Sequence, residues 1–156
     1  MPDARAHMTA GNIDLHGSWR LLSVVEYTDG RVTNPYFQGR NPVGFIHYLH
    51  DGRVAVLIAN DGRRLMSADR YTSPVQECAE SSRTFTGYGG RFTRTGNQVV
   101  HHLDVSSYEN DVGTDYVRTI EVDGGRLILG TLPMQLNGRT RVLKLTWERV
   151  VPASGP

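Results

Sequence analysis

The stretch Gln98 to Val105, QVVHHLDV, sets His101 and His102 side by side in an otherwise apolar run. Imidazole titrates near neutrality, so either ring could move a proton or bind a metal ion. Successive residues of a strand point to opposite faces, however, and the two rings cannot readily chelate one ion. Period-2 alternation groups Val99, His101, Leu103 and Val105 on one face and Val100, His102, Asp104 and Ser106 on the other. The first set is the apolar one. His101 is therefore expected to point inward, and His102 outward towards Asp104 and solvent.

The same alternation brings other polar groups to the inner side. Tyr116, Arg118, Ile120 and Val122 share one face; Tyr88, Gly90 and Phe92 another; Leu143, Leu145, Trp147 and Arg149 a third, with Lys144, Thr146 and Glu148 outside. The expected interior is thus mostly Val, Ile and Leu, interrupted by His101, Arg118, Tyr88, Tyr116 and Trp147. A small-molecule site has this mixture of apolar walls and a few convergent polar groups. His101 reads either as a core histidine with satisfied nitrogens or as a general acid or base, and metal ligation ranks third. Arg118 has no inward carboxylate in sight to pair with, and an unpaired buried cation is costly. It is expected to stack on an aromatic ring, to bond tyrosine hydroxyls and carbonyls, or to receive an anionic or carbonyl-bearing ligand. The tyrosines are wall residues with satisfied hydroxyls, or one of them donates a proton.

Other chemistry finds less support. Cys78 falls in an expected helix with no activating partner and reads as a small buried apolar residue. His47 and His50 lack zinc-ligand spacing, and Glu109, Asp111 and Asp115 do not match an EF-hand loop. No glycine-rich phosphate cradle follows a strand and opens a helix. Neither a metal nor a cofactor is expected.

The elements that must position these residues are strands. At 156 residues the chain fits one domain, able to bury roughly two-thirds of its unfolded surface. Residues 1–14 are expected as a disordered lead-in, 15–150 as the folded domain and 151–156 as a tail. Alternation marks a first strand through Trp19, Leu21, Ser23, Val25 and Tyr27, ended by TDGR. Strands follow at 44–49 and 53–59, joined by the Asp51-Gly52 hairpin signal. A helix over about Pro74 to Phe85, with Ser73 as cap, precedes strands at 89–94, 98–105, 115–122, 126–131 and 141–150. Eight short strands with hairpin turns and one short helix between strands 3 and 4 predict an all-β, antiparallel, up-and-down barrel. Eight strands enclose side chains or one small ligand.

Composition excludes several partners. Basic and acidic residues number 17 and 16, with no basic block interleaved with aromatics, so nucleic acid is not expected. No apolar run approaches the ~18 residues of a membrane span. A single cysteine permits no internal disulfide, which suits a reducing cytoplasm.

The ordered series GSWRL, NPVGFIHYLHDGRV, FTGYGGRFT, VVHHLDVS, VGTDYVRTIEVDGGRLIL and LTWERV resembles the lipocalin-like domain family from about Leu15 to Val150. The resemblance implies a calycin barrel of this length with a pocket. It implies packing of Trp19, in the Gly-x-Trp opening, against Arg149 of the last strand. It also favours Tyr48 inside, where alternation leaves the faces of 44–49 undecided between Gly44, Ile46, Tyr48 and Phe45, His47, Leu49. Where the family usually has Gln before the Arg of its sixth strand, this chain has Tyr116, which would alter ligand specificity if it faces the cavity. Relatives of this kind often accompany natural-product biosynthesis.

Two functions follow as expectations. The first is a cofactor-independent cyclase or isomerase of a small hydrophobic, polyketide-type metabolite. In it His101 moves a proton, Arg118 stabilises the developing enolate or carboxylate, and Tyr48 or Tyr116 orients the carbonyl. Tyr88, Tyr116, Trp147, Ile46 and Leu103 would then bind the ligand. The second is a non-catalytic carrier in which the same residues only fix orientation. A homodimer is allowed for in either case.

Overall fold

The computed structural model describes residues 9–152. It contains the strands β1 (Gly17–Thr28), β2 (Arg31–Asn34), β3 (Val43–Tyr48) and β4 (Arg53–Ala59), a helix α1 (Val75–Arg83), and then β5 (Phe85–Thr95) and β6 (Gln98–Ser106). A 3₁₀ turn at Glu109–Asp111 leads to β7 (Asp115–Asp123), β8 (Arg126–Thr131), β9 (Met134–Leu136) and β10 (Arg139–Arg149). Eight of these, β1, β3 to β8 and β10, pair antiparallel in sequence, and β1 pairs back onto β10 to close the barrel. The expected eight-stranded barrel is the observed one, with α1 between its third and fourth strands. Among the described residues no helix is long and apolar enough to cross a membrane.

β2 and β9 are additions to that expectation. Each is a short, exposed strand that prolongs a hairpin of β1 or β10 beyond the barrel wall. Neither buries a face, so neither carries the alternation by which a strand announces itself. The helix is shorter than expected. Pro74 sits at its N-cap without a side-chain capping bond, the Ser73 hydroxyl bonds the Asp69 carbonyl instead, and Phe85 already belongs to β5.

One end of the barrel is sealed by the segment before β1. Trp19 donates its indole N–H to the Leu15 carbonyl at 2.9 Å, and Arg149 lies over the Trp19 ring at 4.1 Å. The Arg149 guanidinium also bonds the carbonyls of His16 and Asp14, while Arg94 bonds those of Ala10 and Ile13. Five backbone carbonyls that would be stranded over a barrel end are in this way satisfied by two guanidinium forks and an indole. Ile13 and Leu15 drop into the core below them. The expected boundary between lead-in and domain at residue 14 therefore falls inside a packed plug; the lead-in over residues 1–8 and the tail over 153–156 lie outside the described residues.

Two bulges reset the faces that simple alternation assigns. In β1, Leu21 pairs with Trp147 and Ser23 with Thr146, leaving Leu22 unmatched. Val24, rather than Ser23, Val25 or Tyr27, then turns into the core. In β6, Leu103 pairs with Gly90 and Val105 with Gly89, leaving Asp104 unmatched. Val105, expected inside, is consequently 64% exposed. A bulge opposes two residues to one, so every residue beyond it changes face.

The β6 bulge depends on its partner strand. A Cβ on Gly90 would meet the His102 carbonyl oxygen at 1.8 Å, whereas one on Gly89 would lie 3.4 Å from the nearest atom. Gly90→Ala is expected to lose about 2–3 kcal/mol by overpacking and Gly89→Ala less than about 1 kcal/mol. Urea unfolding midpoints of the two variants test this, and equal losses would refute it.

Candidate functional site

The plug occupies the end where β1 begins and β10 finishes; the cavity occupies the other half. It encloses about 490 Å³, and its lining includes Val24, Ile46, Val56, Leu129, Leu145 and Trp147 as apolar walls. The polar lining is gathered mainly on β5, β6 and β7, as Tyr88, His101, Tyr116 and Arg118. Register explains the gathering. His101 pairs with Tyr116 and with Phe92, so its side chain shares their inner face, and Arg118 stands two residues farther along β7.

His101 is 1% exposed and lies between two tyrosines. The Tyr48 hydroxyl is 2.7 Å from Nε2 and the Tyr88 hydroxyl 2.8 Å from Nδ1. Tyr48 is fully buried, does not line the cavity, and has no other side-chain partner. A buried hydroxyl must spend its hydrogen, and among the described residues the one acceptor bonded to it is Nε2. The ring hydrogen then resides on Nδ1 and is donated to the Tyr88 oxygen. Tyr88 in turn keeps its own O–H to offer to the cavity. Satisfaction of one buried hydroxyl thus fixes the imidazole tautomer and the polarity of the whole chain.

Charge states agree with this assignment. Burial, together with the nearby charge of Arg118 and then of His102, pushes His101 down to about 3, so the ring is neutral at physiological pH. Burial lifts the Tyr48 hydroxyl well above its ordinary range and Tyr88 to about 12, although Arg118 opposes the rise at Tyr88. Burial and the Asp111 carboxylate, which accepts the Tyr116 hydroxyl, raise Tyr116 as well. All three tyrosines are protonated donors.

Arg118 stacks over the Tyr116 ring at 4.7 Å and donates from Nη1 to the Val117 carbonyl at 3.2 Å. None of the ion pairs among the described residues includes it. On lining residues, two buried polar atoms have no hydrogen-bond partner among the described residues: Trp147 Nε1 and Gln38 Oε1.

Of the residues expected at the site, His101, Arg118, Tyr88, Tyr116, Trp147 and Ile46 come together around the cavity. Tyr48 stands behind His101, and Leu103 is buried without lining the cavity. His102 faces out as expected, but its carboxylate partner is Asp115 at 2.8 Å, not Asp104, which pairs with Arg53 at 3.1 Å. Cys78 is only half-buried on α1, where no residue is buried, so its expected burial is corrected. Phe37 and Gln38 belong to the lining and were not anticipated. They lie in NPYFQGRNP, an irregular segment with no period to read, although its two prolines and glycine did mark a constrained loop.

Comparison with known proteins places the chain by descent. Residues 16–150 match the model of the lipocalin-like domain family, and the chain belongs to that family. A relative from Aspergillus oryzae, described as 4'-hydroxy-3'-methoxypropiophenone carrier protein ppsC, is 31% identical over 84 residues, 48% of this chain and 76% of that one. Among solved structures, one described as a REP1-NXSQ fatty acid transporter aligns over 89% of this chain and 98% of its own, with 12% identity and a TM-score of 0.41.

The depressed His101 has a consequence for stability. The unfolded ring binds a proton near pH 6.5 and the folded ring only near 3, so stability is present above pH 6.5 and is lost as pH falls through that window. Between pH 6 and 4.5 this loss amounts to about 2 kcal/mol. A His101→Gln variant, which keeps a donor and an acceptor, should lose that much less over the same interval in urea unfolding. Parallel losses in the two proteins would contradict the buried neutral ring.

Proposed function

We propose that this member of the lipocalin-like domain family binds a small, largely apolar compound through a hydrogen-bond-accepting oxygen and carries it unchanged. The observation that carries this reading is the cavity: about 490 Å³, apolar on most sides, with the Tyr88 hydroxyl and the Arg118 guanidinium among its lining. That volume lies within the range of small-molecule sites. Burial of an apolar ligand against Ile46, Val56 and Trp147 supplies affinity, at roughly 25 cal/mol for each Å² removed from water. The donors Tyr88 and Arg118 fix its orientation. The description of the Aspergillus oryzae relative as a carrier supports the same reading.

In this reading Tyr48 and His101 are positioning residues. Both imidazole nitrogens are committed to tyrosine hydroxyls, so the ring meets the ligand only through Tyr88. Leu103 packs behind the wall.

A second reading, the cofactor-independent cyclase or isomerase, is favoured by one specific feature. The run Tyr48, His101, Tyr88 is a continuous hydrogen-bond chain, and the Tyr88 proton is a plausible general acid for a ketone while Arg118 stabilises the enolate. Its weakness is the neutral, low-pKa ring, which makes His101 a poor base near pH 7.

The test uses 4'-hydroxy-3'-methoxypropiophenone as ligand. Calorimetry is expected to give a saturable, micromolar affinity, and the compound is expected to be recovered intact. Val56→Phe, which fills part of the cavity beside Tyr88, should weaken binding at least tenfold. Absence of saturable binding would sink the carrier reading; conversion of the compound by the wild type, abolished in Tyr88→Phe, would replace it with the catalytic one.

A further inference from the structure

We infer that the cavity takes its ligand as an oxygen anion, a phenolate, enolate or carboxylate seated against Arg118 and the Tyr88 hydroxyl, in preference to the neutral acid. This rests on the binding function proposed above and specifies its chemistry. Arg118 is the one cation lining the cavity among the described residues. Asp111 keeps its charge while accepting the Tyr116 hydroxyl. Asp115, at the rim, holds His102 at 2.8 Å. Glu26 of β1 and Arg141 of β10 hold each other at 2.6 Å near Phe37. His101 of β6 is a neutral ring whose hydrogens run towards Tyr88, and Tyr88 of β5 and Tyr116 of β7 are protonated. Asp115 is exposed to solvent, which screens it, and Arg118 belongs to no ion pair among the described residues.

The hydrogen-bonding groups reinforce this sign. With the tautomer fixed by Tyr48, Tyr88 offers a hydrogen, while its oxygen receives Nδ1–H and lies beside the Arg118 guanidinium. Arg118 retains guanidinium N–H groups beyond the one given to Val117. A ligand hydroxyl in its neutral form would bring a further hydrogen to two groups that present chiefly donors. Its conjugate base brings only lone pairs and also neutralises the half-buried guanidinium. The partly buried setting strengthens that pairing over what it would be in water.

The probes are 4-hydroxyacetophenone, whose phenol and phenolate absorb at different wavelengths, and 4-methoxyacetophenone, which cannot ionise. On the intact chain, the bound phenol is expected to ionise at least one pH unit lower than the free phenol. Its affinity then rises about tenfold as pH is raised to the free value, because the bound form deprotonates first and both are ionised above it. The methoxy probe should show no such rise. In Arg118→Gln the shift of the bound phenol should vanish. Bound phenol that ionises at or above its free value would overturn the inference while leaving the binding function intact; failure of both probes to bind would overturn both. The wild-type titration decides the matter even if the variant does not fold.

Discussion

β1 and β10 meet along one seam, and the barrel exists only because they do. Eight strands in sequence leave two edges, each a row of unpaired N–H and C=O groups. The pairing from Trp19 with Arg149 to Thr28 with Arg141 consumes both edges at once. At its lower end the seam also carries the seal: Trp19 and Arg149 reach from opposite strands to neighbouring carbonyls of the plug, that of Leu15 and those of Asp14 and His16. Closure and sealing are therefore one event. Everything the cavity does presupposes it, since a hydroxyl such as that of Tyr48 is driven to a single acceptor only where water has been excluded.

The seam also shapes the cavity above the plug. The unmatched Leu22 lies within it, and beyond that point Val24 faces inward beside Leu143 and Leu145. On the far wall the unmatched Asp104 turns Val105 out and ends the inner face of β6 shortly after His101. The polar cluster is thereby confined to the stretch of β6 between the plug and the bulge, adjacent to Tyr116 and Arg118. The position of a single supernumerary residue in each strand decides where apolar wall stops and polar anchor begins.

These features differ in how plainly a sequence displays them. The number of barrel strands, the hairpin at Asp51-Gly52 and the inward turn of His101 were legible, because each follows from period-2 alternation and turn chemistry acting locally. The Trp19 and Arg149 packing was legible only through family resemblance. The bulges were not legible at all: Gly90 announces a close approach, but which partner residue is skipped depends on pairing with a strand a dozen residues away. The partner of His102 was misread for the same reason, since Asp115 comes from β7 whereas Asp104 is merely near in sequence. Phe37 and Gln38 escaped because a segment without a period gives no face to assign. The polarity of the Tyr48, His101, Tyr88 chain is a further step removed, as it depends on which hydroxyl ends up with no second partner.

That polarity makes the site's character heritable from outside its own surface. Tyr48 touches no part of the cavity, yet its buried hydroxyl dictates which nitrogen of His101 bears hydrogen, and the nitrogen dictates whether Tyr88 gives or receives. A barrel of identical shape and identical lining, differing only at position 48, could greet the same molecule with a lone pair where this one offers a proton. Selectivity in such a fold can therefore drift through residues that no inspection of the pocket wall would single out.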